Sequence, residues 1–264
     1  MGSPILPRGF RPENPARLLG FSSTKGKSRS VAKPFPDVFQ LKSWPMNDSP
    51  PRKVSAEDAA RLSALAPRTW QRMLSGRRLN LVEPSPMDIE IIDIALGLSR
   101  NTRWNGQTSG EHGWSVAQHS DFVVEIVRQR LRPRAPAWVL MAAKLHDASE
   151  YVTHDMITPL KAVVGDVFRE VEDRLQCAIH LRFGLPVRLE PGVKALIKKA
   201  DIIAAATEAV QLSGFSFEEV ASVLRFREKP LTDVHLTPSP SRMAERQFLE
   251  GFAYLDKKMR LERR

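Results

Sequence analysis

The sequence predicts an all-α fold, and three observations carry that prediction. Beyond residue 88 apolar residues recur at helical spacing, several of these stretches stop at Gly or Pro, and a single segment, Trp70 to Leu81, reads as extended or irregular. With 264 residues the chain is long enough to bury a substantial core.

Taken in order, residues 1–54 are rich in Pro, Gly, Ser and Arg, a composition that buries too little apolar surface to order itself, so a disordered basic leader is expected. Residues 55–86 form a lead-in: Ser55-Ala56-Glu57-Asp58 caps a helix carrying Ala59, Leu62 and Leu65, and the Trp70–Leu81 segment follows. A helical domain is expected over 87–264. Its first helix places Ile89, Ile92, Ala95 and Leu96 on one face and ends near Gly97. The second runs from Val116 to Leu131 and stops before Pro133; the third, Ala137 to Glu150, is so apolar that it must be central. Val167 to Phe183, closed by Gly184 and Pro186, is the fourth; Val193 to Leu212 and Met243 to Leu261 complete the set.

The net charge of +10 invites a nucleic-acid reading, but it is unevenly placed. Residues 1–80 hold 15 Lys and Arg against 5 Asp and Glu, whereas residues 81–264 hold 25 of each. The basic excess thus lies outside the helical region and says little about a substrate there. One cysteine, Cys177, excludes an intramolecular disulfide and fits a reducing, cytoplasmic setting; it reads as a small buried thiol. No apolar stretch approaches the length of a membrane span, so no membrane partner is expected.

The most specific feature is Ala142-Ala143-Lys144-Leu145-His146-Asp147-Ala148-Ser149-Glu150. An imidazole nitrogen beside a carboxylate offers the ligand types that suit a borderline divalent metal. Two ligands do not close a site. His119 upstream and Asp201 downstream are the further candidates, each in an apolar-periodic helix where an inward polar group needs a partner or an ion. Glu150 follows His146 by four residues and Asp147 by three, which on a continuous helix brings all three toward one face.

The order His119, His146-Asp147, Asp201 resembles the HD-domain metal-dependent phosphohydrolases. The run HDASEYVTHDMITPLK from His146 to Lys161 is similar to the central motif of the bacterial 5′-deoxynucleotidases in that superfamily, where HDASE precedes a loop, an Asp and a Thr-Pro-x-Lys element. Asn101-Thr102-Arg103-Trp104 stands before His119 at about the distance where those enzymes carry an Arg-Trp pair, and Thr69 to Arg78 with Pro86 to Ile89 resembles the lead-in of one branch. The chain departs from that branch at Gln107, where a His is expected. The likeness runs from about Thr69 to Leu255. It implies an HD-domain helical bundle, one divalent transition metal (Mn, Co, Fe or Zn) on His119, His146, Asp147 and Asp201, and a homodimer. It also implies that Arg103 and Trp104 touch the nucleotide and that Asp155 meets the sugar 3′-hydroxyl.

That chemistry suits the residues. A bound divalent ion screens phosphate charge and acidifies a water; Glu150 suits general acid–base work; the Arg103 fork can grip phosphate while Trp104 walls off the sugar and base; and Lys161 can add a cation. The expected activity is a metal-dependent phosphoric ester hydrolase removing the 5′-phosphate of deoxynucleoside monophosphates. The alternatives are triphosphate release from a deoxynucleoside triphosphate, hydrolysis of another small phosphoester, or, outside enzymology, nucleic-acid binding through the basic leader. Two buried carboxylates beside two histidines argue against the last, so the expected partner is a small nucleotide and not a nucleic acid.

Overall fold

The computed structural model describes residues 68–164 and 166–263, together with residues 55, 57, 60 and 64. The basic leader expected over 1–54, and most of the helix expected from Ser55, lie outside the described residues; Glu57, Ala60 and Ala64 are helical. The fold is all-α. Its one sheet among the described residues is a hairpin of β1 (Trp70–Arg72) and β2 (Arg78–Asn80), antiparallel, with Trp70 opposite Asn80. The hairpin occupies the segment read as extended or irregular, and the Arg68 and Arg78 guanidiniums lie over the Trp70 ring at 5.1 and 4.8 Å.

The helices are α1 (Ile91–Arg100), α2 (Val116–Ile126), α3 (Ala137–Lys144), α4 (Glu150–Thr153), α5 (Thr158–Val164), α6 (Asp166–Arg182), α7 (Pro191–Leu212), α8 (Phe217–Ser222) and α9 (Ser241–Glu262). The centre is α3, every residue of which is buried. Around it, α9 packs on α1, α2 and α3, while α2 also packs on α1 and α7. In α9 the apolar spacing shows which face turns inward, the buried residues Ala244, Phe248, Phe252, Leu255 and Met259 forming one stripe three or four residues apart. In α1 the expected face is not the buried one, since Ile92 is exposed, Ile94, Ala95 and Leu98 point inward, and the helix runs past Gly97 to Arg100. Fully burying a Phe or Leu of this kind stabilises the fold by roughly 1.5–3 kcal/mol. Among the described residues no helix is long and apolar enough to cross a membrane.

Several helices differ from expectation. The stretch Ala137 to Glu150 is not one helix: α3 ends at Lys144, Leu145 leaves helical geometry at φ −102° and ψ 14°, and residues 145–149 form tight turns before α4. The His146-Asp147 pair therefore sits on a turn and not on a helix face. The last turn of the second helix, Val127–Leu131, is a π-turn. The short helices α5 and α8 also lie where no helix was expected.

Lys144 explains how α3 can end inside the core. Its side chain is fully buried, pairs with Asp121 of α2, and lies 4.0 Å from the ring centroid of Phe248 of α9. Gly251 leaves room for it, since a Cβ there would stand 2.9 Å from Nζ. A cation at a helix C-terminus also opposes the negative end of the helix dipole. Three helices are thereby tied together one residue before the turn that carries His146.

Candidate metal centre

His119 enters from the first turn of α2, which Ser115 caps by accepting a hydrogen bond from the Gln118 backbone at 3.2 Å. The segment before it is held by an isolated bridge between Thr102 and Ser115 and by the Arg103 N–H donating to the Trp114 carbonyl at 2.8 Å. Asp201 comes from the middle of α7, and His146 and Asp147 from the turn after α3.

The structure brings these four residues together, with one ligand atom from each lying within 4.8 Å of the others. The His119 Nδ1–H donates to Glu208 at 2.6 Å and the His146 Nδ1–H donates to the Ala143 carbonyl at 2.8 Å. A carboxylate or a carbonyl only accepts, so the proton of each neutral ring resides on Nδ1 and the Nε2 lone pair is left over. Both Nε2 atoms are buried without a hydrogen bond. They face carboxylate oxygens: His119 Nε2 is 3.2 Å from Asp201 and 3.6 Å from Asp147, and His146 Nε2 is 3.2 Å from Asp147 and 4.0 Å from Asp201. Four donors about 2.1 Å from one ion would stand about 3–4 Å apart, so this spacing fits a single divalent cation.

The charges agree. Burial acts to raise the Asp147 and Asp201 carboxyls, but the His146 imidazole at Asp147 and the His119 imidazole at Asp201 outweigh it and hold both well below the usual carboxylate range. Burial, and after it the Arg103 charge, act to lower His119. The Glu208 charge, the Asp201 carboxylate facing Nε2 and the hydrogen bond from Nδ1 to Glu208 win, and its pKa is pushed up to about 10. A ring this eager for a proton is surrounded by carboxylates in excess, the setting a divalent cation would satisfy better than a proton.

Glu150 lies beside this centre, 4 % exposed, and its Oε2 has no hydrogen bond. Burial first, then the Asp147 and Asp155 charges, push its pKa well above the ordinary value, and the Arg103 and Lys161 charges do not restore it. It holds a proton to higher pH than a solvated glutamate does. Lys161 stands 3.7 Å from Glu150 and 3.3 Å from Glu172. Arg103 lies between Asp155, at 3.1 Å, and Glu208, at 3.3 Å. Burial acts against its charge, but those two carboxylates raise its pKa and keep it a permanent cation. The Trp104 indole N–H donates to Glu208 at 3.2 Å, and its ring lies 5.7 Å from that of Phe215.

Sequence reasoning missed three neighbours of the site: Glu208, Trp114 and Glu172. Glu208 follows Asp201 by seven residues and shares its helix face, a visible signal, but that spacing alone does not separate a site residue from a structural carboxylate. The remaining histidines stay outside. His180 donates its Nδ1–H to the Pro186 carbonyl at 2.8 Å, and His154 is exposed. Cys177 is buried, and burial pushes its thiol upward, as suits a packing residue.

Known proteins carry the same segment. Residues 94–229 match the model of a family described as 5′-deoxynucleotidase YfbR-like, a span that contains every candidate site residue from Arg103 to Glu208. An uncharacterized protein of Rhodobacter capsulatus is 55% identical over 152 residues, covering 58% of this chain and 77% of the relative. The uncharacterized protein YfdR of Escherichia coli is 32% identical over 137 residues, covering 52% of this chain and 68% of that protein.

Proposed function

From the premise that this chain belongs to the YfbR-like 5′-deoxynucleotidase family of the HD superfamily, we propose that it removes the 5′-phosphate of deoxynucleoside monophosphates. The coarser statement, a metal-dependent phosphohydrolase of the HD type, rests on that membership and on the His119, His146, Asp147 and Asp201 cluster. The observation that carries the reading is the pair of buried, unbonded Nε2 atoms facing two ionised carboxylates.

His119, His146, Asp147 and Asp201 would hold the ion. When bound, such an ion neutralises phosphoryl oxygens and acidifies a water. The remaining work falls to the chain's own side chains. Glu150, protonated by its surroundings, gives its proton to the 5′-oxygen of the leaving nucleoside. Arg103, fixed as a cation, and Lys161 face the phosphate charge. Asp155 accepts a hydrogen bond from the 3′-hydroxyl while sharing its other side with Arg103. Trp104 closes the site toward the sugar and base.

The test is a panel of deoxy-, 2′,3′-dideoxy- and ribonucleoside mono-, di- and triphosphates, each with Mn²⁺, Co²⁺ or Zn²⁺, in which free phosphate, pyrophosphate and triphosphate are distinguished. Free phosphate from deoxynucleoside monophosphates is expected. The ribo counterparts should be slower, because the pocket has no room or partner for the added 2′-hydroxyl. The 2′,3′-dideoxy counterparts should fall about ten- to hundredfold in kcat/KM, the scale of the lost hydrogen bond to Asp155. Equal rates for the two sugars would remove the deoxynucleotide assignment, and release of triphosphate would replace the reaction.

A further inference from the structure

Glu208 is fully buried, and four donors converge on its carboxylate. The His119 Nδ1–H and the Trp114 indole N–H reach Oε1 at 2.6 and 2.9 Å; the Trp104 indole N–H and the Arg103 Nε–H reach Oε2 at 3.2 and 3.3 Å. Both oxygens are thus fully engaged, one toward the candidate metal ligand and the other toward the Arg103–Trp104 turn.

That turn needs an anchor. Trp104 and its neighbour Asn105 both adopt left-handed backbone, at φ 57° and φ 52°. For residues with a Cβ this costs roughly 1–2 kcal/mol apiece, and it persists only where the surroundings hold it. Trp104 and Arg103 both end on Glu208, while Thr102 is pinned from the other side by its bridge to Ser115. One carboxylate therefore supports a strained turn and orients an imidazole.

We propose that Glu208 is a positioning residue that fixes the His119 ring with Nε2 toward the metal and couples occupancy of that site to the Arg103–Trp104 turn. The inference rests on the metal centre of the proposed function and extends it. An ion on Nε2 changes the polarisation of the ring and with it the Nδ1–H bond to Oε1. The carboxylate shifts with that bond, and the two donors on its other oxygen must follow or change length. The Arg103–Trp104 turn thereby responds to an ion that neither residue touches.

The experiment uses the full chain and Zn²⁺ as a diamagnetic probe. Zinc affinity is measured by equilibrium dialysis, and the indole N–H resonances of Trp104 and Trp114 are followed in ¹H–¹⁵N spectra. In the wild type both indoles should shift along the same zinc dependence as uptake, while Trp70 in the β1–β2 hairpin stays still. Glu208→Gln keeps the side-chain size and removes the charge. It should weaken zinc binding about 10- to 100-fold and abolish the Trp104 response, and Glu208→Asp should recover part of both. A Glu208→Gln protein with wild-type zinc affinity would overturn the positioning role. Zinc uptake by the wild type with both indoles unmoved would overturn the coupling, and this arm needs no variant should Glu208→Gln fail to fold. A wild type that takes up none of Zn²⁺, Mn²⁺ or Co²⁺ overturns the metal centre itself, and this proposal with it.

Discussion

The two imidazoles of the centre are oriented by their other nitrogens: His119 by Glu208 and His146 by the carbonyl of Ala143. Each ring is set by a bond that a metal does not supply, so loss of one carboxylate ligand should not scramble the rest. Asp147→Ala should abolish both metal uptake and activity, because it deletes a ligand and leaves His146 Nε2 without its nearest carboxylate. Glu150→Gln should retain the metal and lose about 10²- to 10⁴-fold in kcat, the usual worth of a positioned proton donor. Dialysis and turnover on the same preparations separate the two, and near-normal turnover of Glu150→Gln would remove it from the chemistry. At this scale the ligands were legible because their types and order are local features of the chain. Glu208 was legible only as a carboxylate on the Asp201 face, because its role lies in partners 89 to 105 residues away, and its place on a mostly apolar helix gives no hint of which donors will meet it.

Elements fix where those residues stand, and the break after α3 shows the limit of periodicity. Every residue from Ala137 to Leu145 is buried, so no polar stripe marks where the helix ends, and no Gly or Pro stops it. The capped α8 was legible in principle, since Ser216 and Glu219 form a capping box. In α5 the residues Leu160, Val163 and Val164 are exposed, which reverses the usual pattern and hides the helix. The α1–α4 contact sets the position of Glu150 through Gly97, where a Cβ would lie 2.7 Å from the Tyr151 Cβ and 2.8 Å from its carbonyl oxygen. Gly97→Ala gains about 1 kcal/mol of helix propensity. It also meets backbone that cannot swing aside, and overpacking of this kind costs typically 1–3 kcal/mol. The clash should win, lowering stability by up to about 2 kcal/mol in urea unfolding. A more stable Gly97→Ala protein would show that α4 is free to move away from α1.

Across the whole molecule the net charge of +10 and the local charge at the centre have opposite signs, and the local one decides what binds there. Asp147, Asp201 and Glu208 are held ionised around His119, so the metal-free protein couples folding to protons. Burial alone would raise Glu208, but the His119 and Arg103 charges bring it down from 4.5 to about 2. Its stabilisation is therefore present above 4.5 and lost as pH falls toward 2. His119 is raised from 6.5 to about 10, so its contribution is full below 6.5 and lost as pH rises through 10. His180, lowered by burial, opposes this by losing stability as pH falls below 6.5. Comparing melting temperatures with and without ion cancels His180 and every other group the ion does not touch. What remains is competition between the ion and the His119 proton, since an imidazole binds a metal only when neutral. Saturation at 100 times the dissociation constant stabilises a fold by about 2.7 kcal/mol. The rise in Tm caused by a fixed Mn²⁺ or Zn²⁺ concentration should therefore be small near pH of about 5.5 and grow toward about 8, with proton release on binding seen by calorimetry in buffers of different ionisation enthalpy. A Tm gain that is flat across that range would place the ion away from His119.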